Sequence, residues 1–116
     1  MELTQPSEIK GTDNCRLLGE FRQRVGDMTS SSAASYGKAV ACLGCFLAEQ
    51  QVQSDIASEC FLENWLVYMS MKGLAYKTGL HYLDAISGLY RSVAGDGYAE
   101  VSDAFANAKA AARSLG

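Results

Sequence analysis

The stretch Lys72–Val93, KGLAYKTGLHYLDAISGLYRSV, joins a helix end, a helix start and a long amphipathic helix. Gly73 is well suited to end a helix, because glycine adopts positive φ angles at little steric cost. Behind it, large apolar residues recur every three or four positions, as they do on one face of a helix. These residues are Tyr82, Leu83, Ile86, Leu89, Tyr90 and Val93. The stretch therefore predicts two consecutive helices, the second of which packs through a continuous apolar face.

Helical spacing of apolar residues also characterises the rest of the chain. With 116 residues, one proline and eleven glycines, the chain is expected to form a single all-α domain. The predicted architecture is a bundle of two helical hairpins, four helices in all, plus a C-terminal helix. The helices are predicted from Asp13 or Asn14 to Val25, from the Thr29–Ser32 turn to Gln50, from Ser58 to Gly73, over the opening stretch to Gly95, and from Tyr98 to Leu115. Residues 1–12 show no periodicity and are expected to be a flexible lead-in to a domain over residues 13–116.

The second and fourth predicted helices share a pattern at an offset of 46 residues. This offset sets Ser32 over Thr78, Tyr36 over Tyr82 and Leu43 over Leu89, among other matches. Two interpretations remain open at this point: a repeated hairpin, or the chance agreement of any two amphipathic helices at their apolar positions.

Charge is unevenly distributed along the chain. The net charge of −3 argues against general nucleic-acid binding. Between residues 65 and 94, however, there are three basic residues and one acidic residue, whereas residues 28–64 hold one basic and four acidic residues. The start of the helix behind Gly73 also offers free N–H groups, the hydroxyl of Thr78 and the cation of Lys77, a combination suited to a phosphate.

Several functional classes find no support in the sequence. No apolar run approaches the roughly 18 residues of a membrane span, and the amino terminus lacks the features of a secretory signal, so we expect a cytoplasmic protein with no membrane partner. The four cysteines, at positions 15, 42, 45 and 60, are expected to be reduced, mostly buried thiols that act as small apolar side chains, rather than zinc ligands. No Gly-rich phosphate loop, Ser-His-Asp order or carboxylate pair stands out. We therefore expect no catalytic residue, metal or cofactor.

The segment FLENWLVYMSMKGLAYKTGLHYLDAISGLYRSV, residues 61–93, resembles the amino-terminal core-binding, or SAM-like, domain of tyrosine recombinases and phage integrases. The matching residues are Phe61, Trp65, Gly73, Leu74, Thr78, Tyr82, Leu83, Ile86 and Leu89. The earlier segment RVGDMTSSSAASYGKAVACLGCFL, residues 24–47, resembles the first hairpin of this domain in integrases of bacterial mobile elements. The resemblance covers about residues 13–94, and most matched positions are core positions.

The resemblance implies a domain that clamps duplex DNA at a recombination site, together with a C-terminal catalytic domain of the parent protein. That parent would be a bacterial DNA strand-exchange recombinase, acting in integration or recombination. The present chain lacks room for the catalytic arginines and nucleophilic tyrosine, so we expect it to be silent as an enzyme. The DNA-binding residues expected on this basis are Lys77, Thr78, His81, Lys72, Arg91, Ser30, Ser31, Ser32 and Lys38.

Two departures from the family pattern, and one alternative, accompany these expectations. Ala75 stands where the family often has a capping hydroxyl or Asn, and the overall acidity lowers the expected affinity for DNA. The basic side chains can equally be solvated surface charges, and the Thr78 hydroxyl can equally satisfy its own backbone. The alternative function is a helical protein–protein interaction module without DNA binding. It would associate with itself through the alanine-rich face of the C-terminal helix, which includes Phe105.

Overall fold

The computed structural model describes the backbone of residues 6–50, 56 and 58–115, and the side chains of residues 14–50, 56, 58, 60–99 and 101–114. Within these residues all regular structure is helical, so the predicted all-α class is confirmed. The elements are α1 Pro6–Gly26, α2 Ser30–Gln50, α3 Glu59–Met71, α4 Tyr76–Ala94, a 3₁₀ helix Gly95–Glu100 and α5 Ser102–Leu115.

Helix α4 is the centre of the bundle and packs against every other helix. Its predicted apolar face is confirmed, because Leu83, Ile86 and Leu89 are buried, and Tyr82, Tyr90 and Val93 pack against the core at its edges. Helix α1 packs on α2, and α3 packs on α4, so both predicted pairs of consecutive helices are in contact. Burial of this continuous apolar face is the main stabilising contribution that the opening stretch makes to the fold.

The boundaries of α3 follow from local chemistry that the sequence predicts. Ser58 has extended backbone angles, and its side-chain oxygen accepts a hydrogen bond of 3.1 Å from the N–H of Phe61, which confirms the predicted cap. At the other end, Gly73 has a φ angle of 87°. Its N–H donates to the carbonyl of Ser70, and the N–H of Leu74 donates to the carbonyl of Met69. These two bonds satisfy the last carbonyls of α3 and reverse the chain into α4.

Helix α1 begins at Pro6, so the start predicted at Asp13 or Asn14 is wrong and part of the predicted lead-in is helical. Proline is favourable in a first helical turn, because its fixed φ suits a helix and its missing N–H would have no partner there. Asn14 lies inside the helix, where it is buried. Its side-chain oxygen accepts a 3.1 Å hydrogen bond from the N–H of Ile56 and so holds the α2–α3 connection against α1. Residues 51–55 of that connection lie outside the described part of the chain.

Helix α5 begins at Ser102, later than the predicted Tyr98, because the 3₁₀ helix occupies residues 95–100. Gly95, with a φ angle of 58°, ends α4 as predicted. Tyr98 stacks on Phe105, with 6.1 Å between ring centroids, and its hydroxyl meets that of Ser87. Phe105, Ala108 and Ala112 are buried, and α5 packs on α3 and α4. The face predicted for self-association is therefore covered within the chain.

Among the residues that the structure describes, no helix combines the length and apolarity that a membrane crossing needs.

Candidate functional site

An open groove of about 510 Å³ lies between the first half of α2 and the first half of α4. It is lined by Ala34, Ser35, Tyr36, Lys38, Thr78, His81, Tyr82, Asp84 and Ala85. Three residues predicted as DNA contacts, Lys38, Thr78 and His81, therefore come together in one place. Lys38 on α2 is 40 or more residues away in sequence from Thr78 and His81 on α4, so only the packing of the two helices brings them together.

One side of α4 faces α2 and forms a wall of the groove. Thr78, His81, Tyr82 and Ala85 are three, four and seven residues apart, the spacing of neighbours on a helix surface. Next to this row, Gly88 offers room for Tyr36: a Cβ atom at Gly88 would lie 3.7 Å from the Tyr36 hydroxyl oxygen. Tyr36 thus packs on α4 and forms part of the groove wall.

The chemistry of the lining favours an anion. Lys38 supplies a cation, His81 supplies an imidazole, and Ser35 and Thr78 supply hydroxyls, all on the groove wall. A phosphate oxygen can accept a hydrogen bond from each of these donor types. Lys77 is exposed and precedes Thr78 in the first turn of α4, although its side chain does not line the groove.

One acidic group, Asp84, also lines the groove. Its Oδ1 atom lies 2.8 Å from the ammonium of Lys109, which reaches over from α5. The carboxylate is thus compensated by a cation from α5, a helix that contributes no residue to the groove lining.

No side chain caps the start of α4, as its sequence indicates. Ala75 occupies the N-cap position with extended backbone angles and makes no side-chain hydrogen bond. The first N–H groups of α4 therefore receive no such cap next to Lys77 and Thr78.

Two predicted DNA contacts, Lys72 and Arg91, lie elsewhere and engage the protein's own surface. Lys72 forms a 3.2 Å ion pair with Glu49 at the end of α2, and its ammonium lies 5.4 Å from the centre of the Tyr68 ring. The guanidinium of Arg91 lies 4.7 Å from the centre of the Tyr98 ring. Arg91 is also about 20 Å further along α4 than Thr78, at 1.5 Å per residue. Neither side chain belongs to the groove.

Ser30, Ser31 and Ser32 form the first turn of α2. Ser30 and Ser31 are exposed and Ser32 is half-buried, and none of them lines the groove. Their position supports their role in starting the helix, where the N–H of Ala33 donates to the carbonyl of Thr29.

Sequence reasoning missed six residues of the lining: Ala34, Ser35, Tyr36, Asp84, Ala85 and Tyr82, the last of which it assigned to the core. A signal for two of them was present, since the 46-residue offset pairs Tyr36 with Tyr82 and both line the groove. The same offset sets Lys38 over Asp84 and Ser35 over His81, so it also gave a signal for Asp84 and Ser35.

A second open groove, of about 590 Å³, lies between the end of α2 and the outer side of α3. Its wall includes Val67 and Met71, whose side chains are 53% and 81% exposed, unusually high for large apolar residues. Tyr68, which lines the same groove, is buried. Burial, together with the hydrogen bond to Glu49 and the charge of that carboxylate, raises the pKa of Tyr68 to about 12.

The cysteines carry no site. All four are free thiols, but three are exposed and Cys42 is half-buried, so the predicted burial of most of them is wrong. Burial raises the pKa of the Cys42 thiol, an effect that the neighbouring Trp65 indole partly offsets. Trp65 itself is a fully buried core residue, and its indole N–H lacks a hydrogen bond of normal geometry. In the described part of the chain, no three His, Cys, Asp or Glu side chains approach one another closely enough to hold a metal ion.

Comparison of the chain with protein-family models finds no match, and the same holds for comparisons with curated proteins and with solved structures.

Proposed function

We propose that the chain is the DNA-binding, SAM-like core-binding domain of a site-specific tyrosine recombinase, and that it clamps duplex DNA at a recombination site. The observation that carries this proposal is the α2–α4 groove, which gathers a cation, hydroxyls and an imidazole from two helices. The sequence pattern of residues 61–93 supports the same assignment.

In this proposal the groove and the adjacent start of α4 face the DNA backbone. Lys38 and Lys77 neutralise phosphates, and the hydroxyl of Thr78 donates to a phosphate oxygen. His81, exposed one turn further along α4, is the group best placed to reach a base edge. Ser30–Ser32, Lys72 and Arg91 would contribute only at the periphery, because they lie outside the groove.

The strand-exchange chemistry is assigned to a C-terminal catalytic domain of the parent protein, in the bacterial cytoplasm. The present chain contributes positioning and affinity, and it has no catalytic role of its own.

Fluorescence anisotropy with a labelled duplex tests the proposal. At low salt we expect saturable binding that weakens as salt rises, with a logarithmic slope of about −0.9 for each phosphate neutralised. The double variant Lys38→Gln/Lys77→Gln should bind more weakly and show a slope closer to zero by up to about 2. No binding at low salt, or binding that ignores both salt and this double variant, overturns the proposal.

A second candidate function is a helical protein–protein module that associates with a second copy of itself. It is favoured by the exposed Val67 and Met71 on the outer side of α3, which replace the buried α5 face as the candidate contact. Light scattering of the wild type and of Met71→Lys tests it. A dimer that Met71→Lys dissociates supports this function, whereas a monomer at high protein concentration excludes it.

A further inference from the structure

Lys109 is the only group of α5 that the described contacts bring to the edge of the α2–α4 groove. Its ammonium lies 2.8 Å from Oδ1 of Asp84, and Asp84 lines the groove. The Lys109 side chain is 28% exposed and that of Asp84 is 58% exposed. Both side chains are therefore reachable from solvent next to the groove that Asp84 lines.

We propose that Lys109 is a further DNA contact and that it exchanges partners on binding, leaving Asp84 for a phosphate of the duplex. This inference rests on the proposed DNA-binding function and adds to it a third helix and a regulating carboxylate. Asp84 holds the ammonium at the groove in the free protein, and it competes with the phosphate for that ammonium when DNA arrives.

The charges at the groove explain why such an exchange is feasible. An ion pair at the protein surface contributes little to stability, so it is broken at little cost. A phosphate contact in its place releases a counterion from the duplex, and this release supplies much of the affinity at low salt. The exchange leaves Asp84 uncompensated near the duplex, so the carboxylate limits the affinity that Lys38, Lys77 and Lys109 together provide.

A set of four variants of the full chain tests the exchange by anisotropy with a fluorescein-labelled duplex over a range of salt. Asp84→Asn should bind about two- to fivefold more tightly than the wild type. Lys109→Gln should bind more weakly, with the salt slope closer to zero by about 0.9. In the double variant Asp84→Asn/Lys109→Gln, the gain from Asp84→Asn should be smaller than in the wild-type background, because the two residues act as a pair.

Glu63→Gln is the matched control, because it removes the same negative charge as Asp84→Asn. Glu63 is exposed on α3 and lines neither groove. The inference is overturned if Asp84→Asn and Glu63→Gln change the affinity equally, or if Lys109→Gln leaves the salt slope unchanged. Thermal unfolding of each variant separates loss of fold from loss of contact, and the salt slope is not altered by a small loss of stability. Failure of the exchange alone would leave binding that depends on salt and on Lys38; failure of the proposed function would leave no such binding.

Discussion

The side-chain oxygen of Asn14 accepts a hydrogen bond of 3.1 Å from the backbone N–H of Ile56, which lies 42 residues further along the chain. Asn14 is only 2% exposed and Ile56 is fully buried. The bond therefore ties α1 to the α2–α3 connection in a place that water does not reach.

We predict that Asn14→Ala lowers the free energy of unfolding by about 1–3 kcal/mol, because it leaves the buried N–H of Ile56 without this partner. Urea denaturation monitored by circular dichroism measures the change. Gln23→Ala is the control, since Gln23 is exposed on the same helix and should change stability by less than about 0.5 kcal/mol. Equal effects of the two substitutions would contradict the role given to Asn14.

Glycine substitutions at two positions should have opposite effects on stability. Gly73 has a φ angle of 87°, so Gly73→Ala places a side chain in the left-handed region and should cost about 1–2 kcal/mol. Gly19 lies inside α1 with open space around its Cβ position, so Gly19→Ala should stabilise the protein by about 0.5–1 kcal/mol. The melting temperature should fall for Gly73→Ala and rise for Gly19→Ala, each compared with the wild type. A stabilising Gly73→Ala would mean that the end of α3 is not the one described.

Local signals account for the parts of the fold that could be predicted from sequence. Ser58 and Gly73 mark the two ends of α3 through hydrogen bonds between residues three to five positions apart. The apolar face of α4 is visible in the sequence as a regular spacing of apolar residues. The start of α1 was missed because residues 6–12 show no apolar period, and nothing local signals that Asn14 pairs with Ile56 rather than with its own helix start. The 3₁₀ helix was missed because the spacing of Tyr98, Val101 and Phe105 fits one continuous helix equally well.

The candidate site was predictable only in part, for a similar reason. Thr78 and His81 are close in sequence and their shared side of a helix can be inferred, but the addition of Lys38 requires α2 to pack on α4 at one register. Lys72 lies outside the groove, near the end of α2, where it pairs with Glu49. Such contacts depend on tertiary packing, which amphipathic spacing alone does not specify.

Phe105 should behave as a core residue. It is 1% exposed beneath Tyr98 and Tyr90, so Phe105→Ala should lower the free energy of unfolding by about 3–5 kcal/mol. Chemical denaturation and light scattering on the same samples distinguish this loss from dissociation. Met71→Ala, at an exposed apolar position, should leave stability nearly unchanged. A dimer that Phe105→Ala splits into stable monomers would contradict the packing of α5 within the chain.

Tyr68 should make stability depend on pH in the alkaline range. Its folded-state pKa of about 12 exceeds the ordinary value of about 10, so the folded protein retains a proton that the unfolded chain loses. This contribution to stability is fully present below about pH 10 and is lost as the pH rises through about 12. Urea midpoints between pH 9 and 12 should therefore fall more steeply for the wild type than for Tyr68→Phe. The control Tyr76→Phe, at an exposed tyrosine, should follow the wild type.

Lys38 and Lys72 offer the sharpest comparison for the proposed DNA contact, because both are exposed cations but only Lys38 lines the α2–α4 groove. Lys38→Gln should weaken duplex binding and bring the logarithmic salt slope closer to zero by about 0.9. Lys72→Gln should have a smaller effect on both quantities, since Lys72 lies at the other groove, between the end of α2 and α3. Anisotropy titrations at three or more salt concentrations measure both quantities. If Lys72→Gln reduced the slope and Lys38→Gln did not, the duplex would lie against the ends of α2 and α3, and the groove would not be its binding site.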